Sequence, residues 1–119
     1  MAWTAWQYGD VFDAFYKDCD DDMRVAIDQR LSRLLELGNL AREPVSKHLE
    51  EGIFELRAKT GREQARFLYY FDPGKRIVIV LAIYKDQRKV SRADIGKAKK
   101  IREILRAEQE KASGIYLTH

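Results

Sequence analysis

The pattern of hydrophobic and polar residues predicts a group of β-strands in the middle of the chain. Three short apolar segments there are rich in β-branched and aromatic residues and are separated by polar turns. They cover residues 52–57, 66–71 and 77–83. Such segments are typical of antiparallel strands joined as a meander, and Pro73 and Gly74 mark the second turn. The third segment is apolar on both faces, so we expect it to be the most buried strand.

Apolar residues at helical spacing flank this meander on both sides. Residues 11–17 are predicted to form one or two helical turns, and a longer helix begins at the acidic residues 20–22 and ends at Gly38. Its expected buried stripe is Met23, Ile27, Leu31, Leu34 and Leu35. A last helix follows Ser91, which forms a capping-box pattern with Asp94. Its expected stripe is Ala98, Ile101, Ile104 and Leu105.

The order of these elements indicates an α+β domain. An aromatic run at residues 3–8 could add an edge strand, and residues 42–51 read as a connector between helix and meander. We therefore expect a two-layer fold in which an antiparallel sheet of three to four strands packs with an N-terminal helical pair and a C-terminal helix. A length of 119 residues fits a single domain over residues 1–119, with 113–119 as a flexible tail.

Composition indicates the cellular compartment in which we expect the protein to act. Hydrophobic residues make up 45% and charged residues 34% of the chain, a balance typical of globular proteins. The single cysteine, Cys19, cannot form an internal disulfide, and no apolar run is as long as a membrane span. The first residues lack the pattern of an export signal. We therefore expect a cytoplasmic protein without a membrane partner, and no residue cluster suggests a metal or another cofactor.

Charge is segregated along the chain. Residues 1–40 carry 4 basic and 8 acidic side chains, whereas residues 84–119 carry 10 basic and 5 acidic ones. A folded domain with one basic end suits a polyanion such as nucleic acid, although solvated helices could give the same distribution. Two arginines, Arg57 and Arg66, stand out because each lies within an apolar strand segment.

The order and spacing of several motifs resemble the RelE/ParE toxin superfamily, with the HigB-like, phage-derived toxins as the nearest branch. The motifs are the segment that ends in Arg57, the segment that begins with Arg66, and the basic turn after Tyr84 that leads into an Ala/Lys-rich helix. The resemblance is sharpest over roughly residues 44–106. The resemblance lies in the order and spacing of these motifs together, since none of them is diagnostic alone.

This resemblance implies the toxin component of a type II toxin–antitoxin system. The implied activity is that of a ribosome-dependent endoribonuclease, or mRNA interferase, in which the ribose 2′-OH attacks the adjacent phosphate without a metal ion. The implied partners are mRNA, the ribosome and a cognate antitoxin of helix-turn-helix type, with DNA bound only through the antitoxin complex. Two alternatives stay open: a non-enzymatic, ParE-like inhibitor of DNA gyrase, and a non-toxic relative that binds nucleic acid.

The resemblance also places candidate site residues. Arg66 and Arg57 would stabilise charge on the phosphate, because a guanidinium directs two N–H donors towards its oxygens. Lys85 matches the basic turn of the family. His48 is added because imidazole suits acid–base chemistry near neutral pH, although a lone histidine is more often a surface residue. The candidate RNA-binding residues are basic or aromatic. They are Tyr84, Arg88, Lys89, Lys97, Lys99 and Lys100.

Overall fold

A mixed β-sheet with helices on both faces forms the protein. The computed structural model describes residues 2–61, 63–85 and 89–115. In chain order, the elements within these residues are β1 (Thr4–Tyr8), α1 (Val11–Lys17), α2 (Asp21–Leu37), β2 (Ser46–Glu50), β3 (Ile53–Thr60), β4 (Glu63–Asp72), β5 (Arg76–Lys85), α3 (Arg92–Ala107) and β6 (Ala112–Gly114). Short 3-10 helices follow α2 at Gly38–Leu40 and α3 at Gln109–Lys111.

The described strands form one sheet in the order β2-β3-β4-β5-β1-β6. Strands β2, β3, β4 and β5 pair antiparallel with one another in succession, as expected for a meander, whereas β1 is parallel to β5 and antiparallel to β6. The α+β class is therefore confirmed, but the prediction of an antiparallel sheet with three to four strands is wrong. Strand β2 was missed because its sequence is polar at Ser46, Lys47 and His48, as an edge strand with an open side permits.

The helices lie on both sides of the sheet, so the predicted two-layer arrangement is also wrong. Helices α1 and α2 pack on one face, which includes Leu56, Phe67 and Ile79. Helix α3 packs on the other face, which includes Leu68 and Val80. A helical stripe shows which side of a helix is buried but not which sheet face it covers. Strands β4 and β5 are apolar on both faces, and that pattern requires cover on both sides.

The predicted stripe of α2 forms much of the core. Met23, Ile27, Leu31 and Leu34 are buried, and Leu35 is partly buried against them. Asp20 caps this helix by accepting a hydrogen bond from the Met23 amide at 2.9 Å. These predictions are confirmed because they depend on periodicity and capping within one element, which tertiary packing did not override.

Helix α3 begins with the predicted capping box. The Ser91 hydroxyl accepts from the Asp94 amide at 3.1 Å, and the Asp94 carboxylate accepts from the Ser91 amide at 3.3 Å. Ala98, Ile101 and Leu105 are buried as expected, whereas Ile104 is only half-buried. No helix in residues 2–61, 63–85 and 89–115 is long and apolar enough to span a membrane.

Burial is greatest in β4 rather than in β5. Residues 64–70 of β4 are all buried, whereas burial in β5 is confined to residues 77–80, so the expectation for residues 77–83 is wrong. The cause is position, because β4 is flanked by long strands on both sides and covered on both faces.

The expected C-terminal tail is partly replaced by a strand. Ser113 and Gly114 belong to β6, which pairs with β1, and the buried Ile115 donates its amide to the carbonyl of Ala5 at 2.9 Å. Residues 116–119 of that expected tail lie outside the described residues.

Candidate functional site

Two arginines face each other on adjacent strands. Arg57 of β3 and Arg66 of β4 are direct cross-strand partners in the antiparallel pair. Residues opposite each other in this way project from the same face with Cβ atoms roughly 4.5–5.5 Å apart. Arg66 is only 5% exposed, and Arg57 is half-buried. Two like charges this close and this sheltered from water favour a nearby anion.

Glu55 supplies one negative charge to this pair. It lies two residues before Arg57 on the same face of β3, and its Oε2 accepts from Arg66 Nη1 at 2.5 Å. The Arg66 and Glu55 side chains are 6% and 3% exposed. Since the guanidinium is held by this bond, its remaining donors have a fixed direction.

Two buried polar atoms beside this ion pair have no hydrogen-bond partner among the described residues. They are Nε of Arg66 and Oε1 of Gln64, which lies two residues earlier on the same face of β4. Buried polar atoms are normally satisfied, and an unsatisfied one requires an explanation such as a bound ligand or water. Here the two atoms offer a donor and an acceptor to a polar ligand.

These residues line an open groove of about 290 Å³ on the sheet face that α3 covers elsewhere. The groove is bordered by Lys47, Leu49, Glu55, Arg57, Gln64, Arg66, Lys89 and Val90. Among the described residues, it therefore holds four cationic side chains and one carboxylate. A groove with this imbalance attracts anions, and its guanidinium groups suit the oxygens of phosphate.

The alternation of side chains along the strands creates this groove. On β3, the side chains of Leu56 and Ala58 pack into the core on the sheet face that α2 covers. The side chains of the residues next to them therefore project from the opposite face. On β4, the side chains of Ala65 and Phe67 pack into the same core, and the side chains of their neighbours project from the opposite face. The segment that leads into α3 then closes one side of the groove with Lys89 and Val90.

The structure brings some of the predicted site residues together. Arg57, Arg66 and Lys89 all line the groove. The backbone of Lys85 pairs with that of Gln64, one of the groove residues, but its side chain lies outside the described part of the structure. Arg88 also lies outside the described residues.

His48 lies apart from the two arginines. It pairs with Phe54 on β3, one position out of phase with Glu55, and therefore projects to the opposite face of the sheet. Its ring contacts Phe54 with a centroid distance of 5.0 Å, and its Nε2 accepts from the amide of Gly52 at 3.3 Å. The structure therefore does not bring His48 into the arginine groove.

Tyr84 also lies on the opposite face. It pairs with Ala65, packs on Phe15 of α1 with a centroid distance of 5.7 Å, and is 49% exposed. An exposed aromatic ring can stack on a base. In this fold, that base would lie across the sheet from the arginines.

The three lysines of α3 differ in their surroundings. Lys99 is bonded to Glu50 and lies 3.1 Å from the Glu51 carboxylate. The hydrogen bond with Glu50 raises the pKa of Lys99, and the same bond lowers the pKa of Glu50. Lys97 and Lys100 are exposed and form no ion pair with the residues that the structure describes. Only these two keep a positive charge available to a partner.

Sequence reasoning missed five of the eight residues that line the groove, and three of the five are polar. Lys47 was placed in a connector, and Gln64 was placed in a polar turn that proved to be strand. Glu55 could have been found, because a carboxylate two residues before Arg57 must share its face within a strand. None of these positions assembles a metal site, since no group of three His, Cys, Asp or Glu side chains within the described residues could hold an ion.

Comparison with protein families relates most of the chain to a known family. The model of the family described as phage derived protein Gp49-like (DUF891) matches residues 14–103, a span that contains every residue lining the groove. No curated protein matches the chain at a significant level.

Proposed function

Since the chain belongs to the Gp49-like family of phage-derived proteins, a family of RelE-like, toxin-like proteins, we propose that it is the toxin of a type II toxin–antitoxin system. The proposed activity is ribosome-dependent cleavage of mRNA by attack of the ribose 2′-OH on the adjacent phosphate. A HigB-like character is part of this proposal.

The paired arginines are the observation that supports this activity most directly. Arg57 and Arg66 are cross-strand neighbours in the groove, and within the described parts of the chain the buried Nε of Arg66 has no hydrogen-bond partner. A scissile phosphate bound there would accept this donor. A protein that acts only by binding gyrase does not need two guanidinium groups at one point of a groove.

The two arginines suit different parts of the reaction. When the 2′-oxygen forms its bond to phosphorus, negative charge grows on the phosphate oxygens until the bond to the 5′-oxygen breaks. Arg66 is fixed by Glu55 and would act as a preorganised donor to this charge. Arg57 is half-buried, has no carboxylate partner among the described residues, and could follow the phosphate through the reaction.

Proton transfer needs an acceptor for the 2′-OH proton and a donor to the 5′-oxygen. Glu55 provides the only carboxylate that borders the groove within the described residues, so we assign it as the acceptor. This assignment replaces His48, which projects from the other face. A lysine of the groove, Lys47 or Lys89, would donate to the leaving oxygen.

Partner binding extends beyond the groove in this proposal. The exposed Lys97 and Lys100 of α3 would contact ribosomal RNA phosphates. A cognate antitoxin, encoded beside the toxin, would silence the protein by placing a carboxylate between Arg57 and Lys89. The proposed toxin role names these partners, and charge complementarity places their contacts on these residues.

Induced expression tests the proposal. Transcripts from induced cells would be mapped by primer extension, with and without a translation inhibitor, and a gyrase supercoiling assay would run in parallel. We expect cuts in translated mRNA that disappear when translation is blocked, with supercoiling unchanged. Arrested supercoiling with intact mRNA would replace this function by gyrase inhibition. Growth without either effect would indicate a non-toxic nucleic-acid-binding protein.

A further inference from the structure

A second basic cavity adjoins the groove at the edge of the sheet. It has a volume of about 230 Å³ and is lined by Arg30, Pro44, Arg57, Lys59 and Gln64. Three of these five residues are cationic and none is acidic. Arg57 and Gln64 border both this cavity and the groove, so the two spaces lie side by side.

The end of β2 creates this cavity. The pairing of β2 with β3 starts at Ser46 opposite Leu56, so the part of β3 beyond Leu56 has no β2 partner. Pro44, just before β2, and Arg30, from α2, border the open edge instead. The edge of a strand carries unpaired backbone groups unless something covers it. Here the uncovered edge is flanked by positive charge.

Two charges of this cavity have no ion-pair partner among the residues that the structure describes. Arg30 is half-buried and Lys59 is exposed, and neither forms an ion pair with any residue in the described parts of the chain. By contrast, Arg24 and Arg33 on the same helix pair with Asp21 and Glu36. The three cations around this small cavity repel one another, and an anion would relieve that repulsion.

We propose that this cavity is a second phosphate subsite for the same RNA strand. The inference rests on the proposed function, because it takes the groove as the place of the scissile phosphate. Arg57 then stands between two neighbouring phosphates, and Arg30 and Lys59 hold the second one. The RNA strand would run from the groove over the open edge of β3 towards α2. The two phosphate sites would thus define the path of the RNA across the protein.

Salt-dependent binding of a short RNA tests this subsite without relying on cleavage. The probes are fluorescein-labelled oligouridylates with one or several internucleotide phosphates, followed by fluorescence anisotropy over a range of KCl. The variants are Arg30→Gln, Lys59→Gln and the double substitution. Arg33→Gln is the matched control, since it removes the same charge from α2 at an exposed residue that is bonded to Glu36 and lies outside both cavities.

We expect the double variant to bind the longer RNA several-fold more weakly and to keep wild-type affinity for the dinucleotide. Its log–log salt slope should fall by roughly 0.7 for the phosphate contact that is lost. Arg33→Gln should bind as the wild type does. Melting curves by circular dichroism would check that the variants are folded.

The subsite would be overturned, even if the protein cleaves mRNA, by a wild-type salt slope in the double variant. An equal loss of RNA affinity in Arg33→Gln would overturn it as well. The expected binding pattern in a protein that cleaves nothing would support the subsite and count against the proposed function alone. An aspartate peptide of equal charge serves as a competitor. Displacement of RNA by this peptide as readily as by unlabelled RNA would assign the cavity to a protein partner and overturn the RNA assignment.

Discussion

Arg66 is bonded to Glu55 across 2.5 Å, although the two side chains are only 6% and 3% exposed. Two charges removed from water in this way depend on each other, because either one alone would be buried without compensation. The ion pair therefore links the stability of the sheet to the chemistry of the groove. Substitutions here must be designed so that the two effects can be separated.

Arg66→Ala should destabilise the protein by about 3–5 kcal/mol, since it leaves the Glu55 carboxylate buried and unpaired. Urea unfolding followed by circular dichroism measures this change. The double variant Arg66→Leu/Glu55→Leu provides the comparison, because it removes both charges. We expect the double variant to be more stable than Arg66→Ala, and the opposite order would show that the pair is not coupled.

Arg57→Ala should strongly reduce the cleavage of mRNA without lowering the free energy of unfolding. Arg57 is half-buried and has no ion-pair partner among the described residues, so its loss leaves no buried charge. Loss of one charge-stabilising donor typically lowers the rate by about 10²–10³-fold. The measurement is cleavage in a translation extract, with unfolding in urea as the control. Full cleavage by a folded Arg57→Ala protein would exclude this side chain from the site.

Glu55→Gln separates proton acceptance from positioning. The amide oxygen of glutamine can still accept from Arg66, but the side chain cannot take a proton. If Glu55 acts as the acceptor, cleavage should fall by about 10²–10⁴-fold, in the range typical of general bases. The comparison requires conditions in which urea titration shows the variant to be folded. Cleavage close to the wild-type rate would leave Glu55 as a positioning residue for Arg66.

The lysines of α3 should differ in their effect on RNA binding. Lys99 is engaged by Glu50 and Glu51, whereas Lys97 and Lys100 have no such partners among the described residues. Lys97→Gln/Lys100→Gln should flatten the salt dependence of binding to ribosomes by roughly 0.7 or more per phosphate contact. Lys99→Gln should leave that slope nearly unchanged. Equal effects of the two variants would mean that Lys99 leaves its carboxylates when RNA binds.

Tyr69 should make the protein sensitive to alkaline pH. Burial raises the pKa of Tyr69 to about 12, against an opposing effect of the Ser46 hydroxyl to which it is bonded. The folded protein thus holds this proton more tightly than the unfolded chain, whose tyrosines titrate near pH 10. The free energy of unfolding is therefore insensitive to this group below about pH 10 and falls as pH rises towards 12. In Tyr69→Phe this part of the fall should be absent, which urea titrations at several alkaline pH values can measure.

The sequence predicted those parts of the fold that depend on a single element. The stripe of α2, both capping arrangements and the antiparallel meander are visible in periodicity and in turn residues. The parallel pairing of β1 with β5 could not be predicted, because it joins distant parts of the chain and leaves no local signal. The same holds for β6, whose three residues are too few to show alternation.

The position of the candidate site residues in the fold was predictable to a similar degree. Arg57 and Arg66 were found because a charge within an apolar strand is conspicuous, and strand register then made them neighbours. His48 could not be excluded from sequence, because its strand was not recognised and its face was therefore unknown. Arg30 could not be found at all, since a basic residue on a helix has no sequence feature that points to a sheet edge.

The placement of β1 between β5 and β6 also has a consequence for how the chain reaches its native state. Both hydrogen-bonding partners of β1 are synthesised much later than β1 itself, β5 from Arg76 and β6 from Ala112. Closing such long loops costs entropy before any pairing compensates, and sheets of this kind fold slowly. A nascent or truncated chain that stops short of Ala112 would leave one edge of β1 without its partner strand. Such an edge can recruit other chains, which makes incomplete copies of this protein prone to aggregate.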